Sequence, residues 1–489
     1  VDAIPDLSDV QVIVKTAYPG QSPQVVENQV TYPLSSQLMA VPKAKTVRGY
    51  SFYGDSYVYV LFEEDTDLYW ARSRVLEYLN QAADDLPEEA VPALGPDASG
   101  VGWVYQYALV DTSGEQDLAS LRSLQDWFLK FELQSVSGVA EVASIGGMVR
   151  QYQVTVDPNA LRAHNLPVDQ VAQAIREASV EKGASVVELG QAEYMVALKG
   201  YVDKLGDLAQ VPVGVRSDQT PVLLKDIAKI EFVPAPRRGL AELNGEGEVV
   251  GGIVVMRAGA NAMAVIESVK QKLATLKDSL PKGVEIVETY DRTGLIQRTL
   301  NTLTDKLWQE MLVVLGVSLL FLWHLRSALV ALVALPLGIL GAFAVLYQMG
   351  VNANIMTLGG IAIAIGTMVD AAIVMIENAH KHLLAFQNQH GRVAEGAEHW
   401  QLVQKATQQV GAPIFVSLLV IALSFLPVFA LQEQAGRLFS PLALTKTWAM
   451  AMAAGLAITL VPVLIGYLIR GRLKRDRKST RLNSSHYRT

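Results

Sequence analysis

The sequence predicts an α+β part followed by an α-helical transmembrane bundle, and three observations carry that prediction. Residues 1–306 mix charged and apolar side chains as a water-exposed fold does. Residues 307–470 contain long uncharged runs instead. The first ninety or so residues alternate and turn in the order strand, helix, strand, strand, helix. Composition agrees, with 489 residues, 51% hydrophobic and only 18% charged. That length holds roughly three or four domain-sized units. A net charge of −7, with no basic stripe interleaved with aromatics, argues against a nucleic-acid partner. The chain has no cysteine, which excludes disulfides and thiolate metal sites.

Each element follows in turn. Residues 9–17, "DVQVIVKTA", alternate as a strand, and "PGQSP" turns the chain. Ser22 is placed to cap a helix with Pro23 at its first position, so 23–40 reads as helical. "AKTVRGYS" and "DSYVYVLFEE" alternate again as two strands, and 67–87 is a helix ended by Pro87. This order is that of a ferredoxin-like split βαβ unit. It recurs: "SSQLMAVPKAKTV" (35–47) has a counterpart in "KFELQSVSGVAEV" (130–142), and 71–87 is echoed at 265–281. Two related α+β subdomains are therefore expected, with 146–235 inserted between the halves of the second.

From 307 onward four apolar runs are long enough to cross about 30 Å of hydrocarbon, and a fifth is close. They fall at about 307–323, 327–348, 355–379, 411–431 and 447–469, within a bundle expected over 295–470. The basic connections lie around Arg326, around Lys381–Lys405 and after Arg470, whereas a loop at 432–446 balances Arg437 and Lys446 against Glu433. The positive-inside rule puts the basic connections in the cytoplasm and residues 1–306 outside. That sidedness calls for one further span ahead of the chain. "VDAIPDLSDVQVIV" has no initiator Met and no signal-peptide pattern, so a missing beginning is expected. Residues 471–489 read as a basic cytoplasmic end and a polar tail, "STRLNSSHYRT", of non-native character.

The run 361–380, "IAIAIGTMVDAAIVMIENAH", carries the chemistry. A carboxylate there costs about 2.5–3.5 kcal/mol on insertion scales, so Asp370 needs a reason. Asp370 and Glu377 are seven apart and share a helix face to within about 20°. Burial raises a carboxyl pKa and makes its charge switchable, which suits a proton relay. Glu377 also reads as an interfacial residue reaching water, and Asp370 as half of a structural pair. Met356, Met368, Met375, Met450 and Met452 fall in the spans, where thioether is either a soft Cu(I) ligand or core filler. His380, His382, His390 and His399 read as a solvated cytoplasmic loop. No Gly-Lys dipeptide is present, so no Walker A loop is either, and no hydrolase arrangement or HExxH helix appears. The chain reads as no enzyme and needs no cofactor.

Several separate stretches resemble one family. "DLSDVQVIVKTAYPGQSPQVVENQVTYPL", "DSYVYVLFEEDTDLYWARSRVLEYLN", "GPDASGVGWVYQYALVD", "RRGLAELNGEGEVVGG", "FLWHLRSALVALVALPLG" and "VDAAIVMIENAHK" are similar to the heavy-metal-efflux branch of the resistance-nodulation-division (RND) transporters, nearest its copper/silver type. The resemblance covers about 1–475. It implies a homotrimeric, lipid-embedded proton antiporter of the bacterial inner membrane that hands metal to a periplasmic adaptor and an outer-membrane channel. By the same resemblance, 1–97 and 98–145 plus 236–294 are porter subdomains and 146–235 a docking subdomain. The chain then holds spans two to six of twelve. The resemblance places the proton relay on Asp370 and Glu377, and the path of the transported ion on Met356, Met368 and Met450. Zinc/cobalt-type members carry a further Asp six residues before the first acid; here that position is Ala364, which favours Cu(I) and Ag(I). Pumps for organic amphiphiles show a two-Asp pattern absent here. A membrane-anchored binding module is the competing class, and it has no use for a mid-span acid.

Overall fold

The computed structural model describes residues 2, 5–179, 182–189, 192–198, 201–216, 219–237, 239–322 and 325–471. Apart from Gly471, the end expected at 471–489 lies outside the described residues.

Strands β1 (Gln11–Ala17), β2 (Ala44–Phe52), β3 (Asp55–Phe62) and β4 (Val91–Leu94) form an antiparallel sheet in the order β2-β3-β1-β4. Along β3 every second residue is buried, Ser56, Val58, Val60 and Phe62 facing the core. Helix α1 (Leu68–Ala82) starts where Asp67 Oδ1 accepts the Trp70 N–H at 2.8 Å. It buries Ala71, Val75, Leu79 and Ala82, a helical stripe laid on the sheet. The helical stretch after Ser22 is not uniform. It runs Pro23–Val26, then a π turn at Glu27–Thr31, then Tyr32–Leu38.

A second sheet has the same topology. It is built from β5 (Trp103–Asp111), β6 (Val139–Gly146), β7 (Val250–Met256) and β8 (Val284–Asp291), in the order β8-β5-β7-β6. Every residue of β7 is buried, as a strand paired on both sides and covered by helix demands. Helix α2 (Ala262–Leu276) covers one part of this sheet; Leu118–Leu124, a π turn at Gln125–Leu129 and Lys130–Gln134 cover another. Between β6 and β7 the chain forms a separate small core around Leu161, Leu208, Leu224 and Ile227. A strand pair, Arg150–Val156 with Ala228–Pro234, connects this core to the second sheet.

Lys270 of α2 ties the second unit together, with its Nζ 2.6 Å from Asp291 and 2.9 Å from Glu288. Burial pushes the Asp291 carboxyl up, but the Lys270 ammonium and the Thr293 N–H outweigh it and hold it below the usual carboxylate range. For Lys270 burial acts downward, and the two carboxylates outweigh it and hold the amine above its ordinary value. A depressed Asp contributes stability present above its unfolded pKa, about 3.9. That contribution is lost as pH falls through the lower folded value. Lys270→Met should therefore move acid unfolding of this unit to higher pH, modestly because the lysine is partly open to solvent. Tryptophan fluorescence against pH checks it, and an unmoved acid midpoint contradicts it.

Five long helices follow: α3 (Thr293–Leu322), α4 (Leu325–Gln348), α5 (Ile355–His390), α6 (Gly396–Leu423) and α7 (Glu433–Leu468). Among the described residues four are long and apolar enough to cross a membrane, namely Arg326–Gln348, Ile355–His390, Gly396–Ala430 and Gln434–Leu468. The run expected at 307–323 lies within α3, apart from residue 323, which is outside the described residues. The helices overshoot the apolar runs. α5 continues past 379 to a left-handed Gly391, and α6 begins 15 residues before 411, because nothing in 380–410 breaks a helix except the short turn between them. The loop expected at 432–446 is helical, the first turns of α7, and buries Lys446 with its ammonium 3.4 Å from the Phe425 ring centre. Pro441 sits inside this helix.

Candidate functional site

Helix α5 presents the candidate residues. It starts at Asn354, whose Oδ1 accepts the N–H groups of Met356 (2.9 Å) and Thr357 (3.1 Å). The Asn354 N–H donates in return to Thr357 Oγ1 at 2.7 Å, closing a capping box. Ile361, Ala364, Ile365, Met368, Ala372, Met375 and Ile376 are buried in the common core of the bundle. The close fit to α7 depends on Gly360: a Cβ there would lie 2.6 Å from the Leu442 carbonyl oxygen.

The opposite face is open. Ile363, Gly366, Asp370, Val374, Glu377 and Lys381 are exposed at spacings of three and four, one stripe along the helix. Asp370 and Glu377 do share a face, as their spacing requires. In this chain that face is open, and the buried core of the bundle lies on the other side of α5. Asp370 lies about 22 Å along α5 from its start. Among the described residues it makes no hydrogen bond or ion pair. Glu377 is paired, with its Oε1 2.8 Å from Lys381 Nζ one turn on. Exposed pairs of this spacing contribute about 0.3–0.5 kcal/mol, so this one orients Glu377 more than it stabilises the helix.

The methionines separate into two groups. Met368, Met375 and Met450 are buried in the bundle core, and Met368 lays its methyl tip against Gly338 of α4. Met356 is half-buried outside that core, about 18 Å before Met368 on the same helix. The fold thus brings Met368 and Met450 into one core and leaves Met356 apart. Among the described residues no group of three His, Asp or Glu side chains is arranged to hold a metal.

The histidines expected in a solvated loop are helical, and two are buried. His380 Nε2 lies 2.6 Å from Ser327 Oγ, linking α4 to α5. His399 Nε2 lies 3.1 Å from the Gly466 carbonyl, linking α6 to α7. His382 Nε2 meets Gln409 Oε1 at 2.8 Å, and Asn378 Nδ2 donates to the Ala406 carbonyl at 2.7 Å. These are fasteners at the helix ends remote from the α+β units. Sequence reasoning also missed Arg437. It stands on α7 with its Nη1 donating to the Leu7 carbonyl at 3.1 Å and its Nη2 2.9 Å from Asp9.

Comparison with known proteins follows the same lines. Residues 1–488 match the AcrB/AcrD/AcrF family. The chain is 58% identical over 474 residues to the cation efflux system protein CusA of Escherichia coli (strain K12), covering 97% of this chain and 45% of that protein. It is 56% identical over 474 residues to the putative cation efflux system protein SilA of Salmonella typhimurium, with the same coverage. A crystal structure of a heavy metal efflux pump superposes with a TM-score of 0.83 at 30% identity, covering 100% of this chain and 46% of that one. The chain thus spans about half the length of the curated relatives it matches. A family match over nearly every residue, joined to a repeated α+β unit and a bundle of membrane-length helices, has one meaning: this chain belongs to the AcrB/AcrD/AcrF family of RND transporters.

Proposed function

We propose that the chain is part of a proton-driven pump that exports Cu(I) and Ag(I) across the bacterial inner membrane. The pump is a homotrimer and works with a periplasmic adaptor and an outer-membrane channel. Residues 1–97 and 98–145 plus 236–294 are its porter subdomains on the periplasmic side, and 146–235 its docking subdomain. The metal is cargo, and no resident cofactor is required.

The observation that carries this reading is Asp370, an acid with no hydrogen bond or ion pair among the described residues, in the middle of an open stripe on a membrane-length helix. Approach and withdrawal of a counter-charge at such a carboxylate release and reload a proton, which is the chemistry of a proton relay. Glu377, two stripe positions nearer the far end and already facing an ammonium, receives the proton next. The choice of metal rests on softness. Ala364, fully buried, removes the additional carboxylate of the divalent-metal branch. Thioethers at Met356, Met368 and Met450 suit monovalent soft ions.

A chimera tests it, in which the matched 474 residues of this chain replace their counterpart in E. coli CusA. In a strain lacking its own copper pump it should restore copper and silver tolerance and add none to zinc. Zinc tolerance without copper or silver tolerance would refute the metal assignment. Replacing Met356, Met368 and Met450 together with Ile keeps apolar bulk and removes sulfur. Silver tolerance should then fall by about tenfold, the scale on which outer partners of a metal site already matter. Unchanged silver transport would assign the three residues to packing alone.

A further inference from the structure

We propose that Arg437 is a positioning residue that couples the helix bundle to the first α+β unit, an inference that rests on the proposed proton-driven function. Arg437 extends from the first turns of α7 into the segment that leads to β1. Its Nη1 donates to the Leu7 carbonyl at 3.1 Å, and its Nη2 lies 2.9 Å from Asp9 and 3.3 Å from Glu64. The guanidinium is mostly enclosed, with 19% of the side chain exposed. A planar fork on a main-chain oxygen and two carboxylates fixes direction as well as distance, which an ammonium cannot do.

The same segment is held at a second point. The Asp2 N–H donates to the Ala353 carbonyl at 2.9 Å, just before α5 begins, and the Asp2 carboxylate lies 3.3 Å from Arg292. Asp2 and residues 5–9 thus form a strap fastened to the near ends of α5 and α7. The strap runs directly into β1, which is hydrogen-bonded to β3 on one side and β4 on the other. A displacement of the strap is therefore a displacement of the sheet.

The bundle side of the device is equally specific. Gly360 brings α5 against the α7 backbone, so the helix bearing Asp370 cannot shift without α7. Pro441 lies four residues after Arg437 and has no N–H to give the Arg437 carbonyl. The helix is weakened there, between the clasped turn and the packed remainder. α7 can then pivot at Pro441 while Arg437 keeps its hold on the strap, converting a tilt of the bundle into a pull on β1.

The CusA chimera provides the test, with metal-stimulated proton flux measured in proteoliposomes and corrected for the amount of protein inserted. Arg437→Gln should cut that flux at least about tenfold per inserted molecule, and Arg437→Lys should fall between. The charge swap Arg437→Glu with Asp9→Arg should regain much of it, because the clasp is remade with its charges exchanged. Flux of Arg437→Gln equal to the parent's, or a swap no better than Arg437→Glu alone, overturns the coupling role. A loss explained wholly by less inserted protein overturns it too, leaving only a structural contact. If the parent chimera shows no Asp370-dependent flux, the proposed function itself fails and this coupling with it. If that flux is present and indifferent to Arg437, only the clasp fails.

Discussion

Asp370→Asn in the CusA chimera is expected to abolish copper and silver tolerance while leaving the protein inserted and assembled. The substitution is nearly isosteric and keeps a polar side chain in place, so packing changes little. It removes the one function the site needs, the gain and loss of a proton. Because Asp370 makes no hydrogen bond or ion pair within the described residues, no buried network collapses when its charge goes. The loss should be complete, with metal-stimulated proton flux at the background of empty vesicles. Proteoliposomes with an internal pH dye measure it. Flux surviving in Asp370→Asn would remove Asp370 from the proton path.

The second large effect concerns the chain on its own. Expressed with a start codon and a leading span, these 489 residues should insert and give no metal tolerance. A proton-carrying aspartate must meet a positive charge that stabilises its ionised form, or it never releases the proton. The described residues offer none at its depth. Lys446 is the buried cation of the bundle, but α7 meets α5 at Gly360 beside Thr445, ten residues ahead of Asp370 and about 15 Å away. Lys381 is committed to Glu377. The open stripe of α5 is the surface that a positive charge from outside these residues would approach. Tolerance from the chain alone, in a strain lacking its own copper pump, would mean the proton pathway is misplaced.

The topology was largely legible because its signals are local. Alternation along "DSYVYVLFEE" identifies a strand whatever surrounds it, and Ser22 followed by Pro23 marks a helix start from two neighbouring residues. The position of Asp370 and Glu377 on one face follows from helical periodicity alone. What could not be read is which face the bundle covers, because that depends on which helices arrive beside α5. The ends of the helices were hidden for a different reason. Charges between 380 and 410 and between 432 and 446 suggested loops, yet helices project beyond the apolar run and keep their charges on turns that meet other protein. Lys446 and Arg437 belong to that class, each satisfied by a contact far away in sequence, Arg437 with Leu7 and Asp9. The buried histidines His380 and His399 belong to it as well.

The two π turns, at Glu27–Thr31 and Gln125–Leu129, bear on how the molecule came to be. A π turn accommodates one residue more than the α-helical count, and such bulges are rare within otherwise regular helices. Each lies inside the helix that follows the first strand of a sheet with the same strand order, about three residues apart in the register that pairs 35–47 with 130–142. A single gene segment, copied once and then opened between its third and fourth elements to admit residues 150–234, accounts for the shared order of strands and helices. The offset of the two bulges shows how far the copies have since drifted apart.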